Sequence, residues 1–332
     1  MYSLGLLMLK DYINLLKDRT LNSIIDSYKL IGQVTKIELL KSCPDVVFIV
    51  STVSNNYIVK FVKSIESLDL QYQYTNHISK SMRVQSIIKN DFNELYSEIN
   101  ILDNDYYMVV KEYLVGNKPE FSDLEEVFCF GEGLGILHSV SRNFTFDADA
   151  IVNIRTKNIE IYINDIVSLV KKIYSNISID MKRLDDFHKL IKRFSLKYSN
   201  ESFLIENSLI HGDISSSNSV VLDKKVSFID FDNFCYSSKW YDIGAFKWEI
   251  SHRKKLNNDM WQVFLSGYMS AYTEITNTDV LAIDYCLICK ELEVITYYLE
   301  LGGYYGNTYL NKGFIDNRID FMKELLNKYM EY

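Results

Sequence analysis

Two motifs decide the fold, and they read His211-Gly212-Asp213-Ile214-Ser215-Ser216-Ser217-Asn218 and Ser227-Phe228-Ile229-Asp230-Phe231. The apolar runs at 220–222 and 226–228 flank a polar turn and predict a short β-hairpin. Because a hairpin returns to the point where it began, we expect Asn218 and Asp230 to lie together at its open end. Two oxygen-bearing side chains held there suit Mg²⁺, whose octahedral shell phosphate oxygens would complete.

The same stretch places a third polar side chain. Asp213 lies five residues before Asn218, on the loop that leads into the hairpin, where it can face the hydroxyl of an acceptor. A loop Asp, an Asn five residues later and an Asp-Phe pair after a hairpin is the catalytic arrangement of kinases. The alternative is a polar turn between two core strands. That alternative would account for Gly212 and the serines, but not for the ordered His, Asp, Asn and Asp.

The sequence resembles the aminoglycoside phosphotransferase and choline kinase-like superfamily, including its spore-coat kinase-like branch. The resemblance is carried by His-Gly-Asp-x₄-Asn at 211–218, Ile-Asp-Phe at 229–231 and Tyr-Asp-Ile-Gly at 241–244. Weaker signals extend it from Tyr28 to Tyr272. It implies a protein kinase-like fold and a phosphotransferase that moves the γ-phosphate of ATP or GTP, with Mg²⁺, to a hydroxyl group.

The resemblance also implies a role for each matching residue. Asp213 would be the catalytic Asp, and His211 would brace the catalytic loop. Asn218 and Asp230 would be the metal ligands. Asp242 would steady the loop from the next helix, and a helix-cap carboxylate at the surface is the alternative for this residue.

A further group of residues is implied for the nucleotide. Lys60, in the strand Tyr57–Phe61, fits the lysine that pairs with the α- and β-phosphates. The phosphate-covering loop falls near Ser42, without the glycines of protein kinases. Backbone groups of Glu112 and Leu114 would hold adenine in the hinge.

Two positions depart from the kinase pattern. No carboxylate stands clearly at the helical position that should pair with Lys60. Glu66 is rather close in sequence, and Gln71 and Gln73 are neutral. Asp232 replaces the Gly of the Asp-Phe-Gly motif, either as a further metal or substrate contact or as a solvated turn residue.

The type of secondary structure that the sequence predicts changes near residue 111. Before it, a helical stretch at 5–28 is followed by β-branched runs at 46–53 and 57–62 that predict a hairpin. After it, the capping-box pattern Ser-Asp-Leu-Glu at 122–125 opens a mostly helical remainder. These changes predict a bilobal α+β fold. Its parts are an N-lobe with the N-terminal helix and nucleotide-binding sheet (1–110), a hinge (111–118) and a helical C-lobe with the catalytic loop and acceptor site (119–332).

Composition limits the classes of partner and compartment. The 332 residues include 36 basic and 44 acidic side chains, and the net charge of −8 disfavours nucleic acid and anionic membranes as partners. Five scattered cysteines indicate a reducing compartment. Cys286 and Cys289 have metal-ligand spacing but lie on an apolar helical stripe, so we expect buried thiols. With no signal-peptide pattern or long apolar run, the sequence predicts a cytoplasmic protein.

The acceptor is predicted from charge. Asp232 and Glu249 have no evident basic partner nearby in sequence, and Trp240, Tyr241 and Trp248 lie in the same segment. An aromatic face beside a carboxylate suits an ammonium group, which predicts a small cationic acceptor such as an amino alcohol or aminoglycoside. Alternatively, the aromatic residues pack the core and the acids are solvated. A Ser or Thr of a peptide as acceptor, or a nucleotide-binding or structural protein with weak turnover, are the other functions that the sequence allows.

Overall fold

The computed structural model describes residues 2–41, 45–101, 104–146, 181–198, 207–252, 258–272, 275–305 and 312–330. The strands are β1 (Val34–Lys41), β2 (Val46–Thr52), β3 (Asn56–Val62), β4 (Ile87–Ile88), β5 (Ser97–Ile101), β6 (Asn104–Glu112), β7 (Asn207–Ile210), β8 (Ser219–Leu222), β9 (Lys225–Phe228) and β10 (Cys235–Ser238). The helices are α1 (Tyr2–Ser27), α2 (Leu68–Ile78), α3 (Leu124–Ser141), α4 (Met181–Tyr198), α5 (Trp240–His252), α6 (Asn258–Ala271), α7 (Asn277–Tyr305) and α8 (Lys312–Met330).

These elements group into two compact units. The first comprises Met1–Glu120, Asn143–Ile154 and Ser216–Asp232, and the second comprises Phe121–Arg142, Arg155–Ser215 and Asn233–Tyr332. The segments predicted as N-lobe and hinge lie in the first unit, which also contains the β8–β9 hairpin. The second unit contains α3 to α8 together with the loop that carries Asp213.

An antiparallel sheet is the centre of the first unit. Its strand order is β1-β2-β3-β6-β4, and β5 also pairs with β6. β2 and β3 form the predicted hairpin, with Ser51 opposite Asn56 beside the turn and Phe48 opposite Val59 in the middle. β-branched and aromatic side chains favour such strands because they fit a pleated, half-buried surface. The prediction of this hairpin is confirmed.

Helix α1 packs on this sheet. Its residues Leu16 and Ile24 are buried in one cluster with Phe48, Val59 and Met108, which come from three different strands. Fully burying a side chain of this size stabilises a fold by about 1.5–3 kcal/mol. The predicted N-terminal helix is therefore present, and apolar contacts with the sheet hold it.

The β8–β9 hairpin is attached to the first unit through its backbone. Ser219 lies opposite Phe228 within the hairpin. On one side, Val221 exchanges two backbone hydrogen bonds with Asn117, of 2.8 and 2.9 Å. On the other side, the amide of Gln85 donates to the carbonyl oxygen of Phe228 over 3.2 Å. The hairpin that the sequence predicts between the two motifs is confirmed, and both of its strands are anchored.

In the second unit, glycines allow helices to approach backbone to backbone. A Cβ added at Gly135 on α3 would lie 2.5 Å from the carbonyl oxygen of Tyr268 on α6. A Cβ added at Gly244 on α5 would lie 2.7 Å from the amide nitrogen of Leu287 on α7. Only a residue without a side chain fits at such distances. The Gly of the Tyr-Asp-Ile-Gly motif thus sets the spacing between α5 and α7.

The start of α3 differs by one residue from the predicted capping box. Asp123 is the N-cap, and its side chain accepts a hydrogen bond from the amide of Glu126 over 2.8 Å. The Glu126 carboxylate in turn accepts from the amide of Ser122 over 3.2 Å. Aspartate is as effective an N-cap as serine, and Asp123 lies nearer the first helical residue.

Other predictions concern helices, thiols and membrane spans. The sequence predicts helices over 159–198, of which 159–180 lie outside the described residues and the remainder is α4. It does not predict β5 or the pairing of β7 with β10. Cys286 and Cys289 are buried free thiols on α7, as expected. Among the described helices, none is long and apolar enough to cross a membrane.

Candidate active site

Asn218 and Asp230 meet at the open end of the β8–β9 hairpin, as the sequence predicts. The amide of Ile229 donates to the carbonyl oxygen of Asn218 over 2.9 Å. Asp230 then adopts a left-handed backbone conformation (φ +61°), and its amide donates to the side-chain oxygen of Gln85 over 3.2 Å. Left-handed backbone is uncommon outside glycine, although aspartate adopts it more often than most residues. The backbone thus brings both residues to one place.

The donor set at this hairpin end fits magnesium. Asp230 offers a carboxylate whose side chain is 38% exposed, and Asn218 adds an amide oxygen. Mg²⁺ is usually bound through one or two protein side chains, and water and substrate phosphates complete its octahedral shell. These two residues therefore suit an ion that arrives with a nucleotide.

Lys60 on β3 lies beside Asp230. Its buried ammonium group is 3.5 Å from Oδ1 of Asp230 and 3.0 Å from Oδ2 of Asp45. A third carboxylate, that of Asp232, forms a direct ion pair with it. The carboxylate partners of Lys60 therefore come from loops next to β2 and β9, and not from α2.

Asp232 also pairs with a second buried lysine, Lys111 on β6. Ile58, two residues before Lys60 on β3, lies opposite Lys111, so both lysines point to the same face of the sheet. The amide of Gln71 on α2 donates to the same carboxylate over 3.0 Å. Asp232 therefore has two basic partners, both distant in sequence, and it is not a solvated turn residue. We call Asp232, Lys60, Lys111 and Gln71 the Asp232 cluster.

In the Asp232 cluster, burial and the neighbouring charges shift the pKa values in opposite directions, and the charges have the larger effect. Burial disfavours the ionised carboxyl of Asp232, but the ammonium groups of Lys111 and Lys60 hold its pKa well below the usual range. Burial likewise disfavours the charged form of Lys60. The carboxylates of Asp232, Asp230 and Asp45 nevertheless raise the pKa of that ammonium above its usual value. Asp232 and Lys60 are therefore both ionised at neutral pH.

The predicted adenine-binding residues lie at the end of β6. The amide of Glu112 donates to the carbonyl oxygen of Ser86 over 2.9 Å, and its own carbonyl accepts from the side chain of Gln85 over 3.0 Å. A carbonyl oxygen has two lone pairs, so that of Glu112 retains capacity for a second donor. Leu114 is buried two residues farther on. Ser42 lies outside the described residues.

In the second unit, Asp242 holds the loop that carries Asp213. Its fully buried carboxylate oxygens accept hydrogen bonds from the amides of His211 and Gly212, each over 2.9 Å. Gly212 has a left-handed backbone (φ +77°), and a Cβ there would lie 2.1 Å from the carbonyl oxygen of Asn233. Only glycine fits this position. The alternative of a surface cap is wrong for Asp242.

Two buried histidines extend this support. Nε2 of His138 lies 3.2 Å from the Asp242 carboxylate, and its Nδ1 lies 3.0 Å from the hydroxyl of Tyr268. His211 is also buried, and its Nδ1 accepts a hydrogen bond from the amide of Asp213 over 3.3 Å. Hydrogen bonds between buried polar groups therefore connect the loop to α3, α5 and α6.

Asp213 itself is paired with a lysine of α7. The ammonium group of Lys290 donates to Oδ1 of Asp213 over 2.8 Å and to Oε2 of Glu293 over 3.2 Å. Glu293 also accepts a hydrogen bond from the hydroxyl of Tyr241. Burial disfavours the charged form of Lys290, but the carboxylates of Asp213 and Glu293 raise the pKa of its ammonium above the usual value. The Asp213 side chain is 30% exposed, so a ligand can reach it.

The aromatic residues predicted to face the acceptor are matched with cations of the protein itself. Trp240 is buried, and the ammonium of Lys239 lies 4.5 Å from its ring centre. The guanidinium of Arg318 lies 5.9 Å from the ring centre of Trp248. Glu249 is buried on the same helix, α5. Trp240 therefore packs the helical core, as in the alternative, and Trp248 is half-buried. The other part of that alternative, solvated acids, is wrong for Glu249.

The sequence matches no protein-family model and no curated protein, but solved structures match over nearly the whole chain. An amicoumacin kinase in complex with AMP-PNP, Ca²⁺ and Ami is 15% identical, with a TM-score of 0.70 and coverage of 98% of this chain and 96% of its own. A microcompartment-associated aminopropanol kinase is 14% identical, with a TM-score of 0.69 and coverage of 93% and 96%. Spectinomycin phosphotransferase with ADP and spectinomycin is 12% identical, with a TM-score of 0.65 and coverage of 93% and 96%. This chain has a kinase-like fold.

The kinase-like fold confirms the predicted architecture, an antiparallel N-terminal sheet followed by a helical remainder. It also confirms the structural side of the resemblance drawn from the motifs at 211–218, 229–231 and 241–244. At identities of 12–15% the fold persists although few side chains are shared. The particular residues around Lys60 and Asp213 must therefore be understood from this chain itself.

Sequence reasoning missed two lysines, Lys111 in the first unit and Lys290 in the second. Lys111 follows three apolar residues on β6, and Lys290 follows four on α7. A lysine inside an apolar run is buried only with a partner, which is a readable signal. Their partners, Asp232 and Asp213, lie 121 and 77 residues away, so the sequence does not reveal them.

Proposed function

We propose that this protein is a kinase that transfers the γ-phosphate of ATP or GTP to a hydroxyl group of a small molecule. The observation that carries the proposal is the meeting of Asn218, Asp230 and Lys60, two candidate metal ligands and a buried ammonium group beside one hairpin end. Proteins of similar fold support it, since one was solved with AMP-PNP and another with ADP.

Each residue has a distinct task in the proposed reaction. Lys60 binds the α- and β-phosphates of the nucleotide. Asn218 and Asp230 would hold Mg²⁺, and the ion would neutralise the negative charge that develops during transfer. Asp213 accepts a hydrogen bond from the acceptor hydroxyl, orients its oxygen toward the γ-phosphorus and takes up its proton. The new oxygen–phosphorus bond forms as the bond to the nucleoside diphosphate breaks.

The other predicted residues serve positioning in this proposal. His211 and Asp242 hold the catalytic loop, so that Asp213 needs no reorganisation when an acceptor arrives. Backbone groups of Glu112 and Leu114, in the proposed hinge at 111–118, bind the adenine ring. Side-chain identity matters little for such backbone contacts.

We also propose that the acceptor carries an amine. Asp213 and Glu293 bring two carboxylates together beside Lys290, and the Asp213 side chain is 30% exposed, so an ammonium group on an acceptor could pair with it. An aminopropanol kinase among the proteins of similar fold agrees with this class of acceptor. Asp232, used in the sequence-based prediction, does not contribute, because Lys60 and Lys111 neutralise it.

An acceptor screen tests the proposal. The purified protein is incubated with radiolabelled ATP or GTP, Mg²⁺ and a panel of amino alcohols, aminoglycosides, neutral polyols and Ser/Thr peptides. We expect label on an amine-bearing small molecule. Label on peptides alone would instead identify a protein kinase. Nucleotide binding without transfer to any acceptor would identify a binding protein with weak turnover.

A further inference from the structure

Helix α2 lacks the carboxylate that a kinase-like fold needs for its strand lysine. Its one acidic residue, Asp69, is exposed. Its buried polar side chain facing the sheet is Gln71, a neutral amide that donates to Asp232 over 3.0 Å. Glutamine cannot neutralise an ammonium group, so α2 by itself does not fix Lys60.

The carboxylate of Asp232 connects three elements of the first unit. Its Oδ2 is bound by Lys60 of β3, whereas its Oδ1 is bound by Lys111 of β6 and by Gln71 of α2. Both lysines are nearly inaccessible, at 6% and 4% exposure. One ionised side chain therefore orients two buried ammonium groups and links the helix to the sheet.

The other carboxylates near Lys60 are less suited to hold it. The side chain of Asp45 is 39% exposed and that of Asp230 is 38% exposed, against 25% for Asp232. Asp230 is also assigned to the metal ion in the proposed function, so it is committed elsewhere when nucleotide is bound. Asp232 has no such assignment and remains with Lys60.

We propose that Asp232 replaces the missing carboxylate of α2 and positions Lys60 for the nucleotide phosphates, and that the hydrogen bond from Gln71 fixes Asp232 relative to α2. This inference rests on the proposed function, and it names a positioning residue that touches neither acceptor nor metal. It implies that a carboxylate on the helix could take over the role of Asp232. Gln71→Glu would place such a carboxylate on α2, beside the same two lysines.

A relocation experiment tests this. Asp232→Asn keeps the shape of the side chain but removes its charge, and we expect affinity for the magnesium complex of AMP-PNP to fall by about tenfold or more. The acceptor KM should stay unchanged. Adding Gln71→Glu to Asp232→Asn should restore affinity to within about threefold of wild type. Gln73→Glu on the exposed side of the same helix is the matched control, and it should restore nothing.

The outcomes separate the inference from the function on which it rests. If the wild-type protein binds no nucleotide, the proposed function fails. If it binds, and Asp232→Asn binds equally well or Gln71→Glu rescues no better than Gln73→Glu, the inference is overturned. Should Asp232→Asn not fold, Gln71→Met is compared with Gln73→Met instead. A loss of nucleotide affinity of about threefold or more for Gln71→Met alone supports the inference, and equal affinities for the two variants overturn it.

Discussion

Lys290 donates to Oδ1 of Asp213 over 2.8 Å, so the carboxylate proposed for catalysis is paired with a buried ammonium group. The same ammonium contacts Glu293 at 3.2 Å, which places the two carboxylate oxygens no more than 6.0 Å apart, the sum of the two distances. This ion pair restricts the rotamer of the Asp213 side chain. It also sets the charge that an acceptor encounters.

Replacing Lys290 tests this relationship. Lys290→Met should lower kcat/KM for the acceptor by about tenfold or more, because Asp213 loses the donor that orients it, while the KM for ATP changes little. Lys290→Arg should recover part of the loss. Lys247→Met, which breaks the ion pair between Lys247 on α5 and Asp284 on α7, is the control for stability alone. A loss for Lys290→Met no greater than that for Lys247→Met would contradict the positioning role.

The catalytic assignment of Asp213 predicts a separation of binding from turnover. Asp213→Asn should retain affinity for the magnesium–nucleotide complex, since Asn218 and Asp230 are intact. Its turnover should fall by about 10²-fold or more, the usual scale for a positioned acid–base group. Calorimetric titration and a steady-state assay measure the two quantities. A folded variant with undiminished turnover would remove Asp213 from this role.

The metal assignment predicts a loss that depends on magnesium. Asp230→Ala should weaken binding of the magnesium–nucleotide complex by about tenfold or more, which corresponds to about 1.4 kcal/mol. Asp223→Asn is a matched control, because this exposed residue lies at the opposite, closed end of the same hairpin. Titrations with and without Mg²⁺ compare the variants. Equal affinities for wild type and Asp230→Ala would show that the ion is held elsewhere.

The Asp232 cluster predicts how stability depends on pH. Since the pKa of Asp232 is lowered in the folded protein, its contribution is present above the ordinary carboxyl pKa and is lost as pH falls through the folded value. The difference in unfolding free energy between wild type and Asp232→Asn should therefore be constant from pH 7 to about 4, near the ordinary value. It should narrow at lower pH. Urea titrations across this pH range measure the difference in unfolding free energy. A difference that grows on acidification would contradict a lowered pKa of Asp232 in the folded protein.

The sequence pattern was sufficient to predict those parts of the structure that depend on residues close together in sequence. The hairpin that joins Asn218 to Asp230 follows from two apolar runs and a turn, and the β2–β3 hairpin follows in the same way. The partners of Lys60 did not follow, because Asp232 is 172 residues away and belongs to no periodic pattern. The sequence left open whether Asp232 is a ligand contact or a solvated turn residue. Its ion pairs with Lys60 and Lys111 exclude the solvated turn residue.

The spacing of α3 and α6 has a consequence for the catalytic loop. Gly135 admits no Cβ because the backbone of Tyr268 occupies that space, and the hydroxyl of the same tyrosine is bonded to His138. His138 in turn faces Asp242, the carboxylate that holds the loop. A methyl group at Gly135 would displace Tyr268, and three successive hydrogen bonds, through His138 and Asp242, would pass that displacement to the loop. Tolerance of variation at this helix contact is therefore limited by the alignment of Asp213 as well as by packing, and under the proposed function a variant there would lose turnover.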